Sequence, residues 1–401
     1  MVDTLLSYSP YDYAVHEDPF PIYERLRAEA PVYHNAERGF WALSRHADVA
    51  AGFRDVTRLS SSHGVSLEPS AAGPHASRTM SFIAMDPPLH TRMRGVVSRA
   101  FTPRRVAEME PHIRRLAVGH IEAALEEASG SATIDFVDSF AGLLPMDVIS
   151  EMIGVPTEDR VRLRGLADLL VHRDEGVFDV PLAGIEAAFT LAGYYADLIA
   201  ERRRRPADDL VSALLAADLD GVRLTDDEII SFLFLLVVAG NETTTKLLSN
   251  CWYWAWRNPT QRAIPFADGS RIPDWIEETL RYDTSTHMLA RIATCDIELH
   301  DTVIPAGDSV LLLIGSANRD DTVFADADRY DLDRDATATL SFGLGRHFCM
   351  GASLARLESR VALEELVARV GDYDIEESAV ERVHSINVRG FAHLPTVLQP
   401  R

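Results

Sequence analysis

The sequence predicts a mainly α-helical protein with minor β structure, organised as one domain over residues 1–401. Helical periodicity covers most of the chain, and one capped apolar helix extends centrally over roughly 30 residues. Strand-like runs are short and confined to two regions, which indicates small antiparallel sheets. At about 150 residues per domain, the length alone would suggest two or three domains. The sequence has no internal repeat, no Ser/Gly-rich linker and no break in composition, and this favours one domain.

Two regions carry the strand patterns. Near the N-terminus, Pro31 to His34 and Phe40 to Leu43 are short apolar runs around a polar turn from Asn35 to Gly39. The second region extends from Arg291 to Ile314 and contains the turn sequence Pro305-Ala306-Gly307. Helical patterns dominate between and after these regions.

The clearest helix begins at Thr225-Asp226-Asp227-Glu228, a capping-box sequence that satisfies free backbone amides before an apolar run. It continues through Trp256 and ends before Pro259, giving a length of about 45 Å. Such a long apolar helix is expected to cross the interior of a large domain. A second helix is predicted from Leu191 to Arg205, and its final arginines suit a helix C-terminus that faces water.

Charge and targeting signals exclude several classes of protein. The chain has 39 Lys plus Arg against 61 Asp plus Glu, a net charge of −22 that excludes a general nucleic-acid binder. The first basic residue is Arg25, so no basic segment of a secretory signal is present. The longest apolar run, Ile229 to Gly240, is shorter than the roughly 20 residues of a membrane span. We therefore expect a soluble, cytoplasmic protein without a membrane anchor.

The three cysteines are Cys251, Cys295 and Cys349, and none forms a C-x-x-C pair. An odd number of scattered cysteines argues against a disulfide framework, a Cys-rich zinc site or a Cys-held iron–sulfur cluster. Only Cys349 has neighbours that suggest chemistry.

Cys349 lies in the glycine-rich segment Phe342-Gly343-Leu344-Gly345-Arg346-His347-Phe348-Cys349-Met350-Gly351. Glycines allow a tight turn and close approach to a flat group. The predicted helix from Ala352 to Val370 would place the sulfur at a helix N-terminus, which stabilises a thiolate. A thiolate held this way suits an axial metal ligand. The alternatives are a buried inert cysteine and a nucleophile activated by His347, for which the sequence offers no obvious orienting residue.

Polar residues interrupt the middle of the long helix, at Ala239-Gly240-Asn241-Glu242-Thr243-Thr244. A glycine in a helix costs about 1 kcal/mol relative to alanine, and a buried carboxylate is costly without a partner. Such local violations are typical of functional sites. The alternative is a kinked core helix whose Glu242 reaches water.

The segment from Asp86 to Arg94 predicts a helix start, with Asp86 as N-cap. His90 and Arg94 are four residues apart, so both project from one face and can bind a carboxylate together. Taken singly, each is equally compatible with a solvated surface residue.

Together these motifs resemble the haem-thiolate signature of the cytochrome P450 family in its soluble bacterial form. They occur in family order from about residue 80 to residue 351, so the resemblance covers essentially the whole chain. It implies the P450 fold, with the long central helix over a haem b, and makes Cys349 the proximal iron ligand. His90, Arg94, Arg291 and His347 would bind the haem propionates. The full implied cofactor-binding set is His90, Arg94, Ala239, Gly240, Arg291, Phe342, Gly343, His347, Cys349 and Gly351.

The resemblance also implies a catalytic pair on the long helix. Thr243 would hydrogen-bond dioxygen on the distal face, and Glu242, where the family more often has Asp, would relay protons from solvent. The implied activity is that of a monooxygenase that uses O2 to hydroxylate or epoxidise a hydrophobic small molecule. A haem-thiolate isomerase or a peroxide-using enzyme is the alternative, followed by a non-enzymatic haem sensor.

A further family feature is the E-x-x-R pair, here Glu278 and Arg281. The resemblance implies a buried structural pair behind the cysteine segment, completed by another arginine, either Arg334 or Arg329. One departure lies upstream of the cysteine, where relatives often have His-Leu-x-Phe-Gly and this chain has Thr339-Leu340-Ser341-Phe342-Gly343. Only local packing is expected to change.

Electrons are expected from separate proteins, a ferredoxin or flavodoxin with its NAD(P)H reductase. The candidate docking patch is the basic segment from His90 to Arg115, where Glu108 and Glu110 oppose seven arginines. Those arginines are Arg92, Arg94, Arg99, Arg104, Arg105, Arg114 and Arg115.

The substrate pocket is expected to draw residues from four segments, roofed by residues 165–193. Fatty acids, terpenoids or steroids, polyketides and aromatics all remain open as substrates. The four segments are 81–85, 235–238, 285–289 and 386–388.

Overall fold

The computed structural model describes residues 6–130, 133–219 and 222–401. Helices dominate this part of the chain, as predicted. In chain order they are α1 (Tyr13–Glu17), α2 (Phe20–Glu29), α3 (His46–Arg54), α4 (Ser77–Met80), α5 (Leu89–Val97), α6 (Pro103–Glu108), α7 (Glu110–Gly130), α8 (Leu143–Ile153), α9 (Thr157–Val171), α10 (Leu182–Arg204), α11 (Leu210–Ala216), α12 (Asp226–Arg257), α13 (Pro259–Ala267), α14 (Ile272–Tyr282), α15 (Ile314–Ala317) and α16 (Ala352–Arg369).

The strands are short and form small sheets. They are β1 (Val32–Asn35), β2 (Phe40–Leu43), β3 (Leu59–Ser60), β4 (Ile134–Asp135), β5 (Asp218–Leu219), β6 (Val222–Arg223), β7 (Met288–Ala293), β8 (Ile297–Leu299), β9 (Thr302–Ile304), β10 (Ser309–Leu313), β11 (Val370–Ile375), β12 (Glu381–Arg382), β13 (Phe391–His393) and β14 (Pro395–Pro400).

The largest sheet has the strand order β1-β2-β10-β7-β3. Strands β1 and β2 pair antiparallel around the predicted turn, and β10 pairs antiparallel with β7. The small sheets are antiparallel as predicted except at one place, where β10 runs parallel to β2. These two strands are separated by most of the helical part of the chain, so no local turn dictates their relative direction.

Helix α12 is the central element. Its capping box forms as predicted, since the Glu228 amide donates to Thr225 Oγ1 (3.2 Å) while the Thr225 amide donates to the Glu228 carboxylate (2.9 Å). Helices α8, α9, α10, α14 and α16 all pack against it. By length and composition α12 alone among the described helices qualifies as a membrane span. However, 67% of its most apolar window is buried inside the protein, as expected for a core helix.

The start of α5 differs from the prediction. The helix begins at Leu89, and no side chain caps it. Asp86 instead bonds the β3 segment, accepting from the Ser61 amide (2.9 Å) and from the Ser60 hydroxyl. Two prolines separate Asp86 from the helix, so its carboxylate bonds the neighbouring segment rather than the free helix amides.

Candidate active site

A large cavity lies between α12 and the glycine-rich segment that carries Cys349. About 1320 Å³ of space free of protein atoms lies within this cavity and its open mouth. The Cys349 sulfur and the Thr243 hydroxyl are among the few polar groups on a largely apolar wall. Such a cavity suits a flat hydrophobic cofactor together with a small hydrophobic molecule. Apolar side chains in its wall include Phe82, Ile83, Phe101, Ile149, Phe232, Leu235, Leu236, Leu280, Leu289, Ile314 and Leu354.

Backbone geometry fixes the cysteine segment. Gly343 and Gly345 adopt φ values of +65° and +69°, a region that side-chain-bearing residues rarely occupy. A Cβ on Gly345 would also lie 3.1 Å from the carbonyl oxygen of Phe53 on α3. The Cys349 amide donates to the Phe342 carbonyl (2.8 Å), which closes the loop and turns the sulfur toward the cavity.

The electrostatic setting of Cys349 balances two effects. The sulfur is accessible from the cavity, yet protein atoms surround it, and this burial raises the pKa of the thiol. Hydrogen bonds from the amides of Gly351 and Ala352, at the start of α16, act in the opposite direction, as does the charge of Arg94. A metal cation bound at this sulfur would deprotonate the thiol, and the neighbouring amides and Arg94 would stabilise the resulting thiolate.

Four basic side chains predicted to bind propionates cluster beside the cavity. The ring centroids of His90 and His347 are 4.2 Å apart, and the charges of Arg291 and Arg94 act on His347. Arg94 donates to the Phe348 carbonyl (2.6 Å), and Arg291 donates only to the adjacent Ala290 carbonyl (2.7 Å). Of the four, Arg94 and His347 line the cavity, whereas His90 and Arg291 are not part of its wall.

The cluster lacks acidic partners. Within the described ranges, no carboxylate forms an ion pair with any of its four members, and both ring nitrogens of both histidines are buried without hydrogen bonds. Burial lowers the pKa of His347 to about 3 and that of Arg291 to about 10, although Asp86 partly opposes the latter shift. A buried guanidinium without a counter-anion is costly, and so are buried imidazole nitrogens without hydrogen-bond partners. These residues therefore fit a ligand that brings its own carboxylates, as haem does.

The polar interruption of α12 faces two directions. Ala239, Gly240 and Thr243 line the cavity, and the Thr243 hydroxyl donates to the Ala239 carbonyl (2.7 Å). Glu242 does not line the cavity, and its side chain is 1% exposed. The side-chain nitrogen Nδ2 of Asn241 donates to Glu242 Oε1 (3.0 Å), and Lys246 Nζ lies 3.6 Å from Oε2. The alternative in which Glu242 reaches water directly is therefore wrong.

The E-x-x-R pair is buried behind the cysteine segment. Arg281 donates twice to the Glu278 carboxylate (2.8 and 2.7 Å), and both side chains are almost inaccessible. Arg334 completes the group, with its Nε 3.5 Å from Glu278. The alternative, Arg329, is wrong, because its side chain is exposed and pairs with Asp331.

Several residues of the site carry no signal in the sequence. Phe53 lies against Gly343 and lines the cavity, although it comes from α3 far upstream. Asn318 accepts from the Leu340 amide (2.8 Å) and donates to the Ser341 hydroxyl (2.8 Å), which accounts for the unusual sequence before Phe342. The carboxyl group of Asp168 on α9 lies next to that of Glu242 on α12. All three contacts join distant parts of the chain.

The predicted pocket segments are confirmed in part. Residues from 81–85, 235–238 and 285–289 line the cavity, but none from 386–388 does, because Ile386 and Val388 line a small separate cavity. None of residues 165–193 contributes to the wall. A more open groove elsewhere, lined by Phe20 and Trp254, contains none of the predicted site residues.

The basic segment is less cationic than its composition suggests. Arg92 pairs with Glu228, and Arg114 with three carboxylates, those of Glu110, Glu364 and Glu365. Arg104 pairs with Glu108 in solvent, and Arg94 faces the cavity. Arg115 bonds the Pro111 carbonyl, and the Arg99 side chain lies outside the described residues. Arg105 is exposed without an ion pair among the described residues.

Comparison with known proteins agrees with this geometry. The family model described as Cytochrome P450 matches residues 272–376. A putative cytochrome P450 123 from Mycobacterium tuberculosis is 59% identical over 400 residues, covering 100% of this chain and 98% of that protein. The fold and the relatives define the class as that of the monooxygenases. The chain belongs to the cytochrome P450 family, whose members bind haem through a cysteine thiolate.

Two further relatives span almost the whole chain. A vitamin D(3) 25-hydroxylase from Pseudonocardia autotrophica is 38% identical over 393 residues, 96% of this chain and 95% of that protein. A crystal structure of CYP109E1 from Bacillus megaterium in complex with testosterone has a TM-score of 0.88 at 32% identity. It covers 96% of this chain and 99% of that one.

Proposed function

We propose that the protein uses O2 and a haem b bound through Cys349 to hydroxylate or epoxidise a hydrophobic small molecule. One observation carries the proposal: Cys349 and Thr243 face the same apolar cavity, beside basic groups that lack carboxylate partners. When bound, haem b supplies the redox-active iron at which dioxygen is activated. Phe342, Gly343 and Gly351 would border it on the cysteine side, and Ala239 and Gly240 on the side of α12.

The roles of the other site residues follow from their positions. His90, Arg94, Arg291 and His347 would bind the propionates by charge-assisted hydrogen bonds, which relieves their unpaired burial. Thr243 borders the lumen, so its hydroxyl can pass a proton to an oxygen atom held there.

The apolar wall and the relatives favour a steroid-like substrate as the first class to test. Phe82, Phe232 and Leu289 offer hydrophobic surface rather than charge to a bound molecule. The relatives include a vitamin D(3) 25-hydroxylase and a protein crystallised with testosterone. Spectral titration of the holoenzyme with a steroid, a fatty acid and a monocyclic aromatic would rank these classes.

Replacing Thr243 with alanine tests the use of O2. The variant removes the hydroxyl at the lumen, so we expect product formation driven by O2 and reductant to fall by about tenfold or more. Product formation driven by added peroxide should persist, because peroxide brings the protons and electrons that this step requires. Product and peroxide release are measured together.

Thr245→Ala is the matched control, because Thr245 is buried on the same helix but does not line the cavity. We expect it to retain O2-driven turnover. Equal losses with O2 and with peroxide in Thr243→Ala would contradict the proton-transfer role. A wild-type enzyme that turns over with peroxide but never with O2 would favour the alternative peroxide-using function.

We further propose that an acidic ferredoxin or flavodoxin, itself reduced by an NAD(P)H reductase, docks on the face that carries Arg104 and Arg105. These exposed arginines lie on α6, which packs against α16, the helix that follows Cys349. Arg346, in the cysteine segment itself, is exposed as well. The body of the protein is acidic, so these cations would orient an acidic partner.

Reversing Arg104 and Arg105 to glutamate is expected to slow reduction by an acidic ferredoxin by about tenfold at low salt. Its salt dependence should weaken as well, because fewer cations then attract the partner. Stopped-flow reduction at several ionic strengths measures both effects. The control reverses Arg204 and Arg205 at the end of α10, with the same change in net charge. Similar slowing in both variants would contradict a local docking site.

We also propose that residues 1–401 act as one domain in the cytoplasm. The cavity draws its wall from residues between Phe53 and Glu358, so no part of that span forms the site alone.

A further inference from the structure

The buried carboxylate of Glu242 has an acidic neighbour. Helix α9 packs against α12, and the carboxyl group of Asp168 on α9 lies close enough to that of Glu242 to share a hydrogen bond with it. The Glu242 oxygen Oε2 is buried and has no hydrogen-bond donor among the described residues. Two carboxyl groups can share a hydrogen bond only when one of them carries a proton. A proton held between the two carboxyl groups would satisfy the unpartnered Glu242 oxygen.

The two members of the pair differ in their access to water. Glu242 is 1% exposed, whereas the Asp168 side chain keeps solvent contact along the outer edge of α9. On the inner side, Thr243 follows Glu242 directly on α12 and borders the cavity. Asp168, Glu242 and Thr243 thus form an ordered series from the protein surface to the cavity.

Nearby cations do not neutralise the pair completely. Lys246 lies 3.6 Å from Glu242, but its ammonium group donates a hydrogen bond to the Phe391 carbonyl (3.0 Å). Arg164 on α9 acts on Asp168, but its guanidinium bonds Asp138 (2.8 Å). The Asp168 side chain is exposed at its edge, but the surrounding protein atoms, followed by the charge of Glu242, raise the pKa of its carboxyl group to about 7. The shared proton therefore persists to near-neutral pH.

We propose that Asp168 is a positioning residue for proton delivery. It is the solvent-side member of the carboxyl pair and reprotonates Glu242 after Glu242 has given up its proton. The proposal rests on the monooxygenase function, in which protons must reach oxygen in the cavity. The proton passes from solvent to Asp168 and from Asp168 to Glu242, and no oxidant or reductant takes part.

The first test needs no turnover. An acid whose pKa is raised by folding stabilises the folded state below its unfolded pKa of about 4, and this stability is lost as pH rises toward 7. Asp168→Asn removes that titration. The melting temperature of the holoenzyme variant, relative to wild type, is therefore expected to rise between about pH 4 and pH 7. Glu158→Gln, which replaces an exposed carboxylate on α9, should show no such trend.

The second test measures proton delivery. We expect Asp168→Asn to lower O2-driven turnover by about tenfold and to increase its solvent isotope effect. Peroxide-driven turnover should be unchanged, and Asp168→Glu should restore the wild-type pH profile. A pH profile and isotope effect in Asp168→Asn equal to those of wild type would overturn the proposal. A wild-type enzyme without O2-driven turnover would instead overturn the monooxygenase function, and the melting experiment would still report on the pair.

Discussion

Replacing Cys349 with alanine is expected to abolish the thiolate Soret band of the ferrous–CO complex and all O2-driven turnover. Cys349 is the only one of the three cysteines that lines the cavity. Its amide contacts with α16 and its place in a closed glycine-rich loop have no substitute in the described structure. The basic cluster stays intact, so haem can still bind by its propionates. The spectrum then reports loss of the ligand rather than loss of the cofactor.

The other two cysteines provide controls. Cys251 is buried in α12, where burial raises its pKa to about 12, and Cys295 is exposed between β7 and β8. Cys295→Ala should leave the spectrum unchanged, and Cys251→Ala should do so even if it lowers stability. Haem content is measured in every variant. A thiolate band that persists in Cys349→Ala would contradict the assignment of the ligand.

The parts of the site that local sequence encodes were predicted from the sequence. The turn at Gly343 and Gly345 and the sulfur at the start of α16 depend on residues within a dozen positions of Cys349. The capping box of α12 likewise needs only Thr225 and Glu228. Such features follow from backbone conformations that few residues permit.

Features that depend on long-range contacts were not predictable in this way. The net charge of the basic segment was counted without Glu364 and Glu365. These two residues lie on α16 and form ion pairs with Arg114. Whether Arg329 or Arg334 contacts Glu278 depends on how the chain after α15 folds back against α14. Asp168 looks like an ordinary surface acid until α9 is placed against α12. Net charge and helical periodicity contain no information on which side chains meet across helices.

The buried E-x-x-R pair is the second place where one substitution should have a large effect. Arg281→Met is expected to destabilise the protein by about 3–5 kcal/mol, because it leaves the Glu278 carboxylate buried without its main partner. Arg281 also donates to the carbonyls of Asn318 (2.9 Å) and Ala327 (2.8 Å). Since Asn318 holds the segment before Phe342, the Cys349 loop should loosen as well.

Urea unfolding followed by haem absorbance and by circular dichroism separates these two effects. We expect the haem signal of Arg281→Met to be lost at lower urea than its helical signal, because the loop depends directly on Asn318. Arg329→Ala is the matched control, since that arginine forms only an exposed pair, worth about 1 kcal/mol or less. The double variant Glu278→Gln with Arg281→Met should recover part of the loss, because no carboxylate is then left buried and unpaired. A midpoint for Arg281→Met equal to that of Arg329→Ala would contradict the role of the buried pair in supporting the ligand loop.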